Sequence, residues 1–231
     1  MKVSIIVPAY NEEKTIKGVL ERLKEVPLDK EIIVVDDCSK DGTLEVVKQI
    51  GGVRLLHHTK NRGKGSAVST GMRYATGDCL IIQDADLEYD PFEIPRIVEE
   101  IEKGAKVVYG SRFLGKGKFL RASYLANRFL SWLTGFLFRI PITDMETCYK
   151  CLHRDVYRKL ALRARRFDME PEITAKVSRM GYRIKEVPIT YSARSKEEGK
   201  KIGVKDGIWA IYTLLHYRFS GMKKWKTPSS H

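Results

Sequence analysis

What most constrains this chain is a series of short, β-branched apolar runs, each followed by a segment whose apolar residues recur at helical spacing. Val3–Val7 is β-branched and apolar apart from Ser4 and stops at Pro8. A run with so little polar alternation marks a strand buried on both faces, as in a parallel sheet. Glu12–Leu23 follows, with Ile16, Val19, Leu20 and Leu23 on one helical face. Ile32–Val35 then predicts a strand, and the stretch opening at Asp41 a helix closed by Gly51 and Gly52. Val53–Leu56 predicts a strand and Gly65–Ala75 a helix; Leu80–Ile82 a strand and Pro91–Glu102 a helix, with proline in its first turn. Lys106–Tyr109 predicts a fifth strand. This alternation predicts an α/β fold with a doubly wound, mostly parallel sheet flanked by helices.

The 231 residues are 43% hydrophobic and 31% charged, enough apolar material for a sizeable core, which excludes a disordered chain. The formal net charge of +13 is unevenly placed. Residues 1–110 carry 16 basic and 19 acidic side chains; residues 111–231 carry 26 and 10. A second half this basic calls for an anionic partner: phosphate, nucleic acid or an anionic membrane surface.

After Gly110 the texture changes. Phe119–Phe138 reads as one long helix, rich in aromatic residues and with Arg121, Arg128 and Arg139 on one face. Such a helix suits a membrane interface, or it packs on the sheet and leaves a solvated arginine stripe. Val204–Phe219 is a second amphipathic candidate, and Met222–Lys226 adds tryptophan and lysines, which favours the interface. The longest apolar stretch, Phe129–Ile140, is about 12 residues and contains Arg139, whereas a span needs about 20. No signal peptide is visible at the start. The expected organisation is a catalytic domain over 1–203, with halves 1–110 and 111–203, then an amphipathic helix and basic tail over 204–231. The expected location is peripheral, on the cytoplasmic face of a membrane. Cys148 and Cys151 form a lone C-x-x-C without a second pair, so all four cysteines read as structural thiols.

Chemistry concentrates in four loops that follow predicted strands, the edge where open α/β sheets bind ligands. They are Pro8–Glu13, Asp36–Gly42, Asn61–Gly65 and Asp84–Glu88. Asp84 and Asp86, two apart in an extended segment, point the same way and can share a hard divalent cation, Mg²⁺ or Mn²⁺, with substrate phosphates. Lys64, between two glycines, lets backbone amides and an ammonium approach an anion. Neither the P-loop pattern nor a dinucleotide fingerprint is present, which disfavours an ATPase or a nicotinamide enzyme. His57 and His58 end a strand and read as structural.

The runs VSIIVPAYNEEKTI, EIIVVDDCSKDGT, NRGKGSAVSTG and DCLIIQDADLEYDP together resemble family 2 glycosyltransferases of the GT-A fold. GSRF at 110–113, FRIPITDMETCYK at 138–150, MEPEITAKV at 169–177 and EVPITYSARSKEEGKKIGVKDG at 186–207 are similar to the polyprenyl-phosphate hexosyltransferase branch, which includes dolichol-phosphate mannose synthases. The resemblance implies an inverting transfer of a hexose, with mannose from GDP-mannose favoured, onto dolichyl or polyprenyl phosphate. It implies donor contacts from Pro8, Tyr10, Glu12, Asp36, Asp37, Lys64, Asp84, Ala85 and Asp86, with Arg194, Lys200 and Lys201 in a basic loop over the diphosphate. Asp84, Asp86 and Glu88 would hold the metal; Glu88 stands where relatives often carry Gln. Arg112, Arg121 and Asn127 would meet the acceptor phosphate, with Asp84, Asp86 and Arg112 central to catalysis. A separate membrane-anchor protein is a further partner of some relatives. The resemblance leaves open a UDP-glucose donor and a hydroxyl acceptor. A nucleotide-sugar-binding scaffold without activity is the non-enzymatic rival. A nucleic-acid module would explain the basic half alone, but no such motif is present and the acidic first half would repel a nucleic-acid backbone.

Overall fold

A computed structural model describes residues 1–166, 168–193 and 204–220. The first half folds as β1 (Val3–Ala9), α1 (Ile16–Glu25), β2 (Lys30–Asp36), α2 (Thr43–Lys48), β3 (Arg54–His57), α3 (Lys64–Tyr74), β4 (Cys79–Ile82), α4 (Ile94–Glu102) and β5 (Val107–Ser111). The second half adds β6 (Gly117–Lys118), α5 (Arg121–Phe138), β7 (Lys150–His153), α6 (Arg154–Tyr157), α7 (Met169–Arg179), β8 (Ile184–Pro188), β9 (Tyr191–Ser192) and α8 (Val204–Phe219). All five expected strands form. Helix α1 begins at Ile16 rather than Glu12, because Glu12–Thr15 is a turn in which the Glu12 carbonyl accepts from the Thr15 and Ile16 amides.

Seven strands make one sheet in the order β3-β2-β1-β4-β7-β5-β8. Strands β1 to β4 are mutually parallel and β5 is parallel to β8. β7, which the sequence reading did not anticipate, runs antiparallel between β4 and β5. The sheet is therefore mostly parallel with one reversed central strand. β1 is buried along its whole length, including Ser4, whose hydroxyl donates to Glu31. Helix α3 lies so close to it that a Cβ on Gly71 would sit 2.5 Å from Ile6 Cγ2. A two-stranded parallel pair, β6 with β9, stands apart from the main sheet.

The ladder between β1 and β4 ends at Ile6 and Ile82, while β1 continues beside β2 to Ala9. The Ile6 carbonyl faces β4, taking the Gln83 amide at 2.9 Å. Pro8 is in phase with Ile6, so its missing donor falls past the end of that ladder and leaves nothing unpaired. Beyond that point β1 and β4 part, and the strand order reverses between them, the place where open α/β sheets bind ligands.

A second, smaller core joins α5 to α8, through Leu130, Met145, Ala210 and Leu214. Both helices also carry an outward apolar stripe: Leu125, Phe129, Trp132 and Phe136 on α5, and Ile208, Tyr212, Leu215 and Phe219 on α8. Trp132 is 62% exposed and Phe136 71%. No described helix is long and apolar enough to cross a membrane. The expected arginine stripe loses one member. Arg139 lies past the end of α5 in the left-handed region at φ 55°, capping the helix instead of extending its face.

Gly63 shows how tightly the site loops are fitted. Its φ is +90°, and a Cβ there would lie 2.2 Å from the Arg165 carbonyl oxygen. Gly63→Ala is therefore expected to destabilise the fold by about 2–3 kcal/mol. Gly51→Ala, where a Cβ meets nothing within 4 Å, should stay within about 0.5 kcal/mol of the parent. Urea unfolding of the two variants checks this.

Candidate active site

The crevice between β1 and β4 is lined by the loops that the sequence singles out. Asp84, Ala85 and Asp86 follow β4 directly. The Ala85 carbonyl accepts from Thr15 Oγ1 at 2.9 Å, which ties this loop to the start of α1. Lys64 opens α3 and reaches across: its Nζ is 2.8 Å from Asp84 Oδ1 and 3.0 Å from Glu170 Oε1 on α7. Burial alone would lower the Lys64 pKa, but the Asp84 and Glu170 carboxylates outweigh it and hold the ammonium charged. Asp86 is buried and takes the Glu88 amide on Oδ1 at 3.0 Å. The Glu88 carboxylate accepts from the Tyr191 hydroxyl at 2.8 Å, turned toward β9.

On the other wall, Pro8 is buried in β1, and Tyr10 and Glu12 follow it half-buried. The Glu12 amide donates to Thr43 Oγ1, and its carboxylate accepts from Thr15 Oγ1. Asp36 and Asp37 end β2 side by side with different tasks. Asp37, one of the expected donor contacts, accepts the Arg62 amide on both oxygens, the Gly63 amide at 2.6 Å and His58 Nδ1 at 2.7 Å. It straps down the loop that delivers Lys64. Asp36 Oδ2 pairs with His57 Nδ1 at 2.9 Å, while Asp36 Oδ1 is buried and lacks a hydrogen-bond partner. The histidines are thus structural, each orienting one aspartate. Beside them, a cavity of about 640 Å³ is lined by His57, His58, Lys60, Arg62, Arg165 and Arg166, with no acidic side chain among its lining residues.

Arg112 follows β5 and is 5% exposed. Its backbone amide, Nε and Nη2 all donate to the Asp144 carboxylate, at 2.7–2.9 Å. Glu186 on β8 accepts the Thr143 and Asp144 amides and so fixes Asp144. The Arg112 guanidinium stands 5.0 Å from the Tyr191 ring centre and 5.9 Å from those of Phe113 and Phe119. Arg128 also stacks on Phe113, at 5.4 Å, so α5 brings Arg128 to this rim. Arg121 is the first residue of α5, and Asn127, six positions on, is half-buried. Arg194, Lys200 and Lys201 lie outside the described residues.

Sequence reasoning missed Glu146 and Glu170. Each holds a buried carboxylate oxygen without a hydrogen-bond partner, Glu146 Oε1 and Glu170 Oε2. Burial, then the charge of Glu170, pushes the Glu146 pKa up to about 8. Lys150, fully buried, donates to the Met145 and Thr147 carbonyls at 2.6 and 2.9 Å. The signal for Glu146 was available: Asp144-Met145-Glu146 repeats the i, i+2 acidic spacing of Asp84-Ala85-Asp86. The cysteines are free thiols, and burial, then Asp84, raises the Cys148 pKa and keeps it neutral.

Asp84 and Asp86 suit a hard cation by chemistry and spacing. Among the described residues no three His, Cys, Asp or Glu side chains gather into a cage. An ion held here would complete its shell with ligand phosphates and water, as Mg²⁺ and Mn²⁺ do.

The family model described as glycosyl transferase family 2 matches residues 4–163. A dolichol-phosphate mannosyltransferase of Pyrococcus furiosus is 31% identical over 94% of this chain, which spans 64% of that relative's length. An undecaprenyl-phosphate mannosyltransferase of Micrococcus luteus is 31% identical over 88% of each chain. A UDP-N-acetylglucosamine–dolichyl-phosphate N-acetylglucosaminyltransferase of Methanococcus voltae is 31% identical over 92% of this chain and 94% of its own. Among solved structures, glucosyl-3-phosphoglycerate synthase of Mycobacterium tuberculosis in complex with UDP has a TM-score of 0.74 at 20% identity, over 94% of this chain and 80% of that one.

The raised Glu146 pKa has a signed consequence. The folded chain keeps that proton up to about pH 8, whereas the unfolded chain loses it near the ordinary 4.5. Folding stability from this group is therefore present below pH 4.5 and is lost as pH rises through about 8. Glu146→Gln lacks the effect. Its melting temperature relative to the parent is expected to rise between pH 5 and pH 8.5, as calorimetric scans at several pH values would detect.

Proposed function

The chain belongs to glycosyl transferase family 2, and from that premise we propose that it transfers a hexose from a nucleotide sugar to a polyprenyl phosphate at a membrane surface. The observation that carries this reading is a pair of charged stations linked through Tyr191. Asp84, Asp86 and Lys64 form one, and Arg112, 5.0 Å from the ring of Tyr191, whose hydroxyl donates to Glu88, forms the other. GDP-mannose is the favoured donor, in line with the names of two relatives; the name of the Methanococcus relative keeps UDP sugars in play.

A bound Mg²⁺ or Mn²⁺, held by Asp84 and Asp86, would neutralise the diphosphate leaving group. Lys64 adds a fixed positive charge at the same place, and Arg194, Lys200 and Lys201 are assigned to the same diphosphate. Asp36, whose Oδ1 is buried without a hydrogen-bond partner, is assigned as a donor contact. Arg112, held rigid by Asp144, orients the acceptor phosphate, with Arg121 and Asn127 assigned as helpers. A phosphate monoester is largely dianionic at pH 7, its second pKa being near 6, so it attacks without a strong general base. The protein's work is positioning and charge neutralisation. One in-line attack inverts the anomeric centre.

The stripes of α5 and α8 support a peripheral seat on the cytoplasmic face of an anionic membrane, with or without an anchor protein. A globular helix normally turns polar residues outward; these expose tryptophan and phenylalanine instead.

Incubation with radiolabelled GDP-mannose, UDP-glucose or UDP-N-acetylglucosamine, a divalent cation and a short polyprenyl phosphate in detergent is expected to label the organic phase from one donor. EDTA or Asp86→Ala should reduce that label at least about 100-fold. Activity without polyprenyl phosphate would instead favour a hydroxyl acceptor, and a retained anomer would exclude the in-line step. In flotation with anionic vesicles the parent should rise with the lipid. Trp132→Asp with Phe136→Asp should leave the protein at the bottom without loss of melting temperature, because both side chains are already exposed.

A further inference from the structure

We infer that Glu146, a residue outside the expected binding set, reads the transferred sugar: its buried Oε1 takes a hydrogen bond from a hydroxyl of the donor hexose, with Glu170 Oε2 as a second acceptor. The inference rests on the reading above that the donor is a nucleotide sugar.

Place comes first. Glu170 is tied to the diphosphate side through Lys64, and Asp144 is tied to the acceptor side through Arg112. Glu146 lies in the short segment between Asp144, which holds Arg112, and Cys148, whose Sγ donates to the Ile82 carbonyl at 3.6 Å at the end of β4. A sugar in transit must lie between the diphosphate it leaves and the phosphate it joins. Glu146 borders that interval.

The chemistry is equally specific. Buried polar atoms in folded proteins nearly always have partners, and an exception calls for a reason. Here two carboxylates each leave one oxygen bare, Glu146 Oε1 and Glu170 Oε2. Glu170 is 3% exposed, so bulk water does not satisfy it. The missing partner of Glu170 Oε2 is a donor, and Glu146, which keeps its proton, lacks a group that both gives and takes a hydrogen. The nearby cation Lys150 gives two of its three hydrogens to carbonyls and bonds neither bare oxygen, and no cage of metal ligands forms among the described residues. Neutral donors on a polyhydroxylated ring fit best. Glu146 retains its proton to about pH 8, so the same carboxyl can both accept from a hydroxyl and donate to one. An amide can do the same; a thioether cannot.

The test compares binding of GDP with GDP-mannose, and of UDP with UDP-glucose, by calorimetry on the full chain with Mn²⁺ and without acceptor. The parent should bind one nucleotide sugar more tightly than its own diphosphate. Glu146→Met should weaken that nucleotide sugar about tenfold while leaving the diphosphate within about twofold. Glu146→Gln should restore sugar binding to within about threefold of the parent. Because the methionine variant removes an unsatisfied buried carboxyl, it should melt no lower than the parent. Equal weakening of both ligands, or of neither, overturns the assignment, as does a glutamine variant no better than methionine. A parent that binds no nucleotide sugar overturns the proposed function itself, and this inference with it.

Discussion

The structure depends on the ammonium of Lys64. It stands between Asp84, at the end of β4, and Glu170, on α7, at 2.8 and 3.0 Å. One carboxylate comes from the acidic first half of the chain and the other from the strongly basic second half. Without the cation they share, the two carboxylates would repel each other. The loop that delivers Lys64 is itself held from two directions. Asp37 strings up the amides of Arg62 and Gly63, and the carbonyls of Ala164 and Arg165 crowd Gly65 and Gly63 too closely for any side chain. The 163–164 segment is in turn pinned by Glu172, which accepts the Arg163 and Ala164 amides and the Tyr217 hydroxyl. Thus α7, α8 and the lysine loop form one connected body.

A second charged relay stands at the end of β5. Glu186 fixes Asp144, Asp144 fixes Arg112, and aromatic rings surround the guanidinium. All three of these charges are largely withdrawn from solvent, so their geometry is set before any ligand arrives. That preorganisation suits a reaction whose nucleophile is already charged and needs placing more than activating.

The first half of the fold was legible because its strands are continuous apolar runs and its helices carry clean apolar faces. The second half was not. β7 reads Lys-Cys-Leu-His, with no β-branched residue and a lysine that is nonetheless fully buried on carbonyl partners. β8, Ile184–Pro188, is a short stretch interrupted by Lys185 and Glu186. Local pattern cannot reveal strands that tertiary contacts create. At the site, Asp84, Asp86, Lys64 and Arg112 were legible as motifs. Glu170 was not, because a glutamate without its fold looks like any solvated acid, and Glu146 was signalled only by its i, i+2 spacing from Asp144. The division of labour between Asp36 and Asp37 is equally invisible until His57, His58 and the amides of residues 62–63 are in place.

The position of β7 bears on how the chain assembles. Strand β4 ends at residue 82, and β5 at 111, yet the strand that belongs between them is residues 150–153. As the chain emerges, β1 to β4 can associate through parallel units whose partners are already present. The outer edge of β4 must then wait, with Cys79, Leu80, Ile81 and Ile82 unshielded on that side, until about 70 further residues have followed. β5 and β8 cannot join the growing sheet except through β7. The antiparallel strand is therefore the keystone of assembly, and the interval before it docks is when an apolar edge is open to pairing with another chain.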